Sequence, residues 1–349
     1  MKIGISGGFG FIGQHTAEVA VERGHEVVIM DHNARRLADV RNAIGDFEVF
    51  LGDVRDEVAM RELGAHVDGI IHLAACLGTQ ETIRHPLPAA ETNIVGGLNF
   101  LEAVAQYGIA GTYIGVGNHW MQNTYSITKT TVERFVEMFN NERGTHVNVV
   151  RAMNAYGERQ SVAPPFGAAK VRKIMPSFVC RALTGNPIEL YGGGRQISDM
   201  VYVKDVALAL VKATEFSAEQ RAFVKPVEVG PRDSRSMTVR QVANTVQRLV
   251  EDMYGFAPIS HRDLPMRPGE KEGDRVSANV HTLDMVGMDA DDLVPFADGA
   301  RRTIEWYHDN WLPKYRVETM QDEGMIPLAG GYTRTQHIGG GYDAPLNES

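Results

Sequence analysis

Cysteine is scarce in this sequence: Cys76 and Cys180 are the only two in 349 residues. Two cysteines with no paired spacing make neither a disulfide framework nor a zinc site. The histidines fall in no ligand pattern with cysteine or acids, so no metal is expected. Long apolar runs are missing too, and none approaches the roughly 20 residues of a membrane-spanning helix. The first apolar segment starts at residue 2, which leaves no room for a signal peptide. Basic charge is short: 35 Lys and Arg stand against 44 Asp and Glu, a formal net charge of −9, with no basic run. That balance argues against a nucleic-acid surface, so any anionic ligand has to be held by local groups. A cytoplasmic protein with neither nucleic-acid nor membrane partners is expected.

What the chain does have is a patterned beginning. Lys2-Ile3-Gly4-Ile5-Ser6 reads as a buried strand and runs into glycines at 7, 10 and 13. Such glycines permit a tight turn and a close backbone approach to a pyrophosphate, and Phe11-Ile12 then starts a helix whose amides face the anion. The spacing is G-x-x-G-x-x-G, a variant of the dinucleotide fingerprint G-x-G-x-x-G. A helix over 12–23 ends at Gly24, and a second apolar run, 27–30, closes on Asp31. An acid about twenty residues past the glycines suits the hydroxyls of an adenosine ribose and repels a 2′-phosphate. NAD is therefore favoured over NADP, although Arg35 and Arg36 follow closely enough to meet such a phosphate.

Strands are expected at 2–6, 26–30, 48–51, 69–73, 112–116 and 147–151, with helices between them, including 87–107 and 125–141. This alternation implies an α/β fold, a doubly wound parallel sheet of Rossmann type with right-handed crossovers. After about residue 155 proline and glycine break the rhythm, which suggests a smaller α/β substrate domain. The expected division is 1–155 for the NAD-binding domain, with 197–225 returning to it. Residues 156–196 and 226–313 make the smaller domain, and 314–349 a glycine-containing tail.

Tyr125 and Lys129 stand four apart on one face of an expected helix. A free tyrosine has a pKa of about 10, too high for a base at neutral pH. A neighbouring ammonium, helped by an oxidised nicotinamide, is expected to lower it, letting Tyr125 take a hydroxyl proton.

At this point the chain resembles the extended short-chain dehydrogenase/reductase family, in particular its nucleotide-sugar epimerases and dehydratases. The resemblance spans about residues 2–312 and rests on ordered motifs. Besides the glycine turn and Tyr125/Lys129, it includes Gly52-Asp53-Val54, His72-Leu73-Ala74-Ala75, Asn93-Ile94-Val95-Gly96-Gly97 and the segment from Arg151 to Gln160. The resemblance implies that Asp53 and Val54 meet the adenine, that Leu73, Ala74, Ala75 and Asn93 line the cofactor, and that Asn154 touches a substrate diphosphate. The run from Asn186 to Val206, containing Arg195, and Arg267-Pro268-Gly269-Glu270 resemble the family's nucleotide-sugar clamp. A guanidinium suits that task because it binds two phosphate oxygens at once. A homodimer built on helices 87–107 and 125–141 is implied as well.

The chain departs from the family in three places. Relatives place Ser or Thr at the end of the fifth strand, whereas residues 114–119 read Ile-Gly-Val-Gly-Asn-His. Asn118 and Thr124 are the candidates for the missing polar contact. The segment from Gly117 to Tyr125 is unusually short, and Ser198 stands where an arginine is common. Lys170, Arg172 and Lys173 are candidates to replace that charge. The family's 4,6-dehydratases carry an Asp-Glu pair after the fifth strand, and Asn118-His119-Trp120 has no carboxylate, leaving His119 as the only acid. The expectation is an NAD-dependent nucleotide-sugar 4-epimerase. A dehydratase, decarboxylase or reductase of the same family stays open, as does a non-catalytic NAD-binding scaffold.

Overall fold

The computed structural model describes residues 1–256 and 260–316, so most of the glycine-containing tail lies outside the described residues. The first strands are short and apolar on both faces, as parallel strands covered by helices must be. In chain order they are β1 (Lys2–Ser6), α1 (Phe11–Glu22), β2 (Glu26–Asp31), α2 (Leu37–Ile44), β3 (Glu48–Leu51), α3 (Glu57–His66) and β4 (Gly69–His72). Next come α4 (Thr79–Arg84), α5 (Pro86–Ala90), a π-helical turn (Glu91–Val95), α6 (Gly96–Tyr107), β5 (Ala110–Val116), α7 (Thr124–Arg143) and β6 (Asn148–Ala152). The chain continues through β7 (Asn154–Tyr156), α8 (Ile174–Leu183), β8 (Ile188–Tyr191), β9 (Ile197–Ser198), β10 (Met200–Tyr202), α9 (Val203–Ala218) and β11 (Val227–Val229). It closes with α10 (Val239–Tyr254), β12 (His261–Leu264), β13 (Arg275–Val276) and α11 (Phe296–Trp306).

Seven parallel strands form the main sheet in the order β11-β6-β5-β4-β1-β2-β3. The order reverses between β1 and β4, and that crevice is where such sheets bind ligands. The expected Rossmann-type doubly wound sheet is the one found.

Two boundaries differ from expectation. Residues 226–313 are expected in the smaller domain, yet Val227–Val229 pair with Val150–Ala152 and complete the main sheet. A three-residue strand is too short for its periodicity to show. Leu283, Val286 and Leu293 pack into that same core beside it. The expected helix 87–107 carries a π turn around Asn93. Such a bulge inserts an extra residue and re-aims a side chain, and it often marks a functional site.

A second core gathers α8, α10 and α11 around Tyr156, Val179, Val246 and Ile304. In α10 the apolar Val239, Val242, Ala243, Val246 and Val250 recur at helical spacing and are buried, and Thr238 with Gln241 closes a capping box at its start. Among the described residues no helix is long and apolar enough to cross a membrane.

Candidate active site

The site is built at the carboxyl ends of β1, β4 and β5. Gly7 adopts φ +75°, and a Cβ there would stand 2.8 Å from the Ala74 amide nitrogen, so the turn and the end of β4 meet as bare backbone. A Cβ at Gly13 would lie 2.7 Å from Gly8 Cα, which lets α1 press against the turn. Gly10 caps α1 without a capping side chain, leaving first-turn amides for an anion. These features fit a dinucleotide, with Phe11 and Ile12 at the helix start.

Asp31 ends β2 and is buried. One carboxylate oxygen accepts from Phe9 N at 3.1 Å and the other from Asn33 N at 3.2 Å, which ties the acid at the strand tip to the glycine turn. Arg36 is committed elsewhere: it donates to Arg159 O at 2.7 Å and Ser161 Oγ at 2.8 Å. Asp53 is paired to Arg55 at 2.6 Å, which holds its carboxyl below the usual range, and Val54 beside it is buried. Leu73 N donates to Ser6 O, so residues 73–75 leave the sheet directly beside the glycine turn.

Asn93 does not behave as expected. Its Oδ1 accepts from Cys76 N at 2.7 Å, and its Nδ2 donates to Cys76 O at 3.2 Å and to Thr128 Oγ1 at 2.9 Å. Both amide hydrogens are taken by the chain itself, so Asn93 braces the site instead of offering them to a cofactor. Thr128 passes its own proton to Tyr125 O at 3.0 Å, while Thr82 Oγ1 accepts from Tyr125 N at 3.1 Å. The tyrosine backbone is thus pinned on both sides, and Asn123 caps α7 through Ser126 N at 2.9 Å.

Tyr125 and Lys129 share the inner face of α7, as their spacing requires. Burial pushes the Tyr125 phenol up, so it is a protonated hydroxyl at neutral pH. Burial also pulls the Lys129 ammonium down to about 7, against an opposing contribution from Glu133. Its Nζ stands 4.0 Å from the centroid of the Tyr113 ring.

No hydroxyl side chain ends β5. Asn118, one candidate replacement, donates to Met121 Sδ at 3.2 Å within a turn, and Thr124 is the first residue of α7. Further out, the basic residues proposed for the substrate separate into two groups. Arg172 gives three of its five donors to Glu189 at 2.8 Å, Tyr191 Oη at 2.9 Å and Pro164 O at 3.4 Å. Arg195 is exposed and pairs with Glu272 at 3.3 Å. Arg267 gives two donors to Glu270 and lies 5.1 Å over the Tyr191 ring, with the remainder of its fork uncommitted. Its loop reaches α4, since a Cβ at Gly269 would sit 3.3 Å from Ile83 Cδ1. Lys173 faces both Glu81 and Arg267, and burial lowers its pKa. Lys170 is exposed and lies near Cys76. Asn154 donates to Ser198 Oγ at 2.6 Å, which leaves its carbonyl oxygen available.

Sequence reasoning missed Thr82, Thr128, Tyr113 and the buried pair Glu133–Arg151. Tyr113, Thr82 and the Glu133–Arg151 pair act across separate segments of the chain, whereas Thr128, three residues from Tyr125, and Glu133, four from Lys129, stand at visible helical spacings.

Comparison with known proteins agrees with this geometry. Residues 3–224 match the model of the NAD dependent epimerase/dehydratase family. A UDP-N-acetyl-alpha-D-glucosaminuronate decarboxylase of Bacillus cytotoxicus is 26% identical over 87% of this chain and 97% of its own length. A dTDP-glucose 4,6-dehydratase of Mycobacterium tuberculosis is 27% identical over 90% of this chain and 96% of its own. The crystal structure of the Thermus thermophilus UDP-glucose 4-epimerase with NAD superposes with a TM-score of 0.72 at 26% identity, covering 89% of this chain and 100% of that one. With more than half its length matched, the chain belongs to the NAD dependent epimerase/dehydratase family, enzymes of the extended short-chain dehydrogenase/reductase class.

Proposed function

We propose that this protein is an NAD-dependent 4-epimerase of a nucleotide sugar, with Tyr125 as its acid and base. Similar relatives perform decarboxylation, dehydration and epimerisation, so the choice rests on this chain's own residues. The observation that carries it is the segment 117–124: it holds no carboxylate, and its only titratable side chain is His119. Elimination of water needs an acid for the leaving hydroxyl and a base for the adjacent C–H. Epimerisation needs one group that takes and returns a single hydroxyl proton.

Gly7, Gly10, Phe11, Ile12 and Gly13 would hold the cofactor pyrophosphate, Asp31 its adenosine ribose, Asp53 and Val54 its adenine, and Leu73 to Ala75 its inner face. Bound NAD would supply a reversible hydride acceptor and, when oxidised, a positive charge of the sign that favours the Tyr125 phenolate against the upward push of burial. Tyr125 then accepts the proton of the sugar hydroxyl as C4 is oxidised. The same phenol returns it after the keto sugar has presented its other face. Lys129 holds the ribose and adds charge. Arg267, with Lys173 beside it, binds the diphosphate in bidentate fashion, and the Asn154 carbonyl and Lys170 contact the remainder of the substrate. Arg172 has three of its donors held within the chain and Arg195 stands exposed beside Glu272, so neither is assigned to the diphosphate.

A homodimer through the outer faces of α6 and α7 belongs to the same proposal; Ile127 is 52% and Met138 40% exposed there. The test is Tyr125→Phe with substrate and bound NAD: turnover is lost while NAD stays bound. Retained turnover rules out the assigned base.

A further inference from the structure

Lys129 carries its charge into a site with little to answer it. The residue is 1% exposed, and among the described residues no carboxylate lies within ion-pair distance of its Nζ. Glu133, one turn along α7, is the nearest acid by sequence, yet Arg151 takes both its oxygens, through Nε at 3.2 and 3.1 Å and Nη2 at 2.5 Å. Arg151 also reaches Glu228 at 3.2 Å. On β4, His72 is buried, meets Ser6 Oγ at 2.8 Å and is pushed down to about 3, so it is neutral. On α7 itself, Tyr125 keeps its proton. What faces the ammonium most closely is the ring of Tyr113 on β5, 4.0 Å from Nζ to centroid.

That ring is fixed. It is fully buried and stacks on His72 at 5.9 Å and 15°, and His72 stacks in turn on Phe100 at 5.1 Å and 12°. The strand beneath α7 is matched to the helix. Tyr113 and Gly115, two residues apart on one face of β5, meet Lys129 and Glu133 of α7 respectively. A Cβ at Gly115 would strike the Glu133 carboxylate and come within 2.9 Å of Arg151 Cγ. Position 115 must therefore stay bare for the acid to keep its arginine, and position 113 carries the ring the ammonium rests on. An ammonium over an aromatic face is attracted by the ring quadrupole, most strongly where water is excluded.

We propose that Tyr113 is a positioning residue whose ring face seats the Lys129 ammonium and keeps it charged beside the cofactor site. The inference rests on reading Lys129 as the group that holds the cofactor, and its test separates the two.

Tyr113 is replaced by Phe and by mono-, di- and pentafluorophenylalanine, which keep the ring's shape while weakening its negative face stepwise. The Lys129 pKa is read by NMR in full-length, cofactor-free protein carrying 13Cε-lysine, with Lys129→Met to assign the signal. Melting temperature is measured on each variant. Tyr113→Phe is expected to leave the Lys129 pKa where it is, and fluorination to lower it progressively, by about one unit in the pentafluoro ring. NAD affinity, measured by calorimetry, is expected to fall along the same series. Should the pentafluoro variant not fold, the mono- and difluoro members still give the trend. A flat Lys129 pKa across folded variants overturns the proposal. A pKa that follows the ring while NAD affinity stays constant upholds the seat and removes Lys129 from the cofactor site.

Discussion

The three glycines of the first turn are alike in the motif, but the structure gives them different duties. Gly7 sits at φ +75°, and a Cβ there would meet Ala74 N at 2.8 Å. The left-handed conformation costs a non-glycine residue about 1–2 kcal/mol, and overlap with backbone adds about 1–3 kcal/mol. Gly7→Ala should therefore lose about 2–5 kcal/mol of stability, roughly 3–7 °C in melting temperature for a chain of this size. Gly10 has φ −69°, and a Cβ would meet only Gly7 O, at 3.0 Å. No left-handed φ is at stake there, and the overlap is with one carbonyl oxygen, which must give by a few tenths of an ångström. Alanine therefore costs the fold less at 10 than at 7, and its main effect falls on a ligand approaching the helix start. Gly10→Ala should leave the melting temperature within about 2 °C and weaken NAD by about tenfold or more. Scanning fluorimetry and calorimetry with NAD on the two purified variants provide the check. A Gly10→Ala protein that binds NAD like the parent would place the pyrophosphate elsewhere. A Gly7→Ala protein as stable as the parent would refute the steric account.

Asp31→Ala should weaken NAD by about ten- to a hundredfold without creating NADP affinity, because Arg36 is held by Arg159 O and Ser161; tight NADP binding in that variant would show that Arg36 is free. Arg172→Ala should lower the melting temperature with little change in substrate KM, and Arg267→Ala should do the reverse, as steady-state kinetics and thermal scans will show. His72 has a folded pKa of about 3, below its unfolded value, so the unfolded chain binds its proton first. Its contribution to stability is complete above about pH 6.5 and falls by up to about 1.4 kcal/mol per pH unit between there and about pH 3. Urea titrations across that range should show a shallower acid loss in His72→Gln; identical slopes would mean His72 is not the group being protonated. Ile127→Glu on the outer face of α7 should convert a dimer to monomers by light scattering if that face is the interface.

The first half of the chain was legible because each strand is a short apolar run between helices of clear period. Lys2–Ser6 and Glu48–Leu51 have the limits expected of them, and Asp31 stands at its strand tip. The pair Tyr125/Lys129 was legible because a helix brings i and i+4 together whatever surrounds them. The environment of that pair was not. Whether a phenol is raised or lowered depends on burial and on where the ammonium leans, and the ammonium leans on Tyr113, a residue with no marked spacing to Tyr125. The roles of Arg172 and Arg195 were obscured in the same way, because Glu189 and Glu272 reach them only once the chain is folded. Asn93 fits the family's motif, but the π turn that carries it turns its amide toward Cys76 and Thr128.

The central claim is interconversion at C4 of a nucleotide sugar, and one incubation tests it directly. Purified protein with NAD is mixed with a panel of nucleotide sugars, and products are read by proton NMR and mass spectrometry together. The account predicts an unchanged mass with the C4 proton coupling inverted for at least one sugar, and loss of that conversion in Tyr125→Phe. A product lighter by water or carbon dioxide would contradict epimerisation, and no conversion of any sugar by protein holding NAD would contradict catalysis at this site.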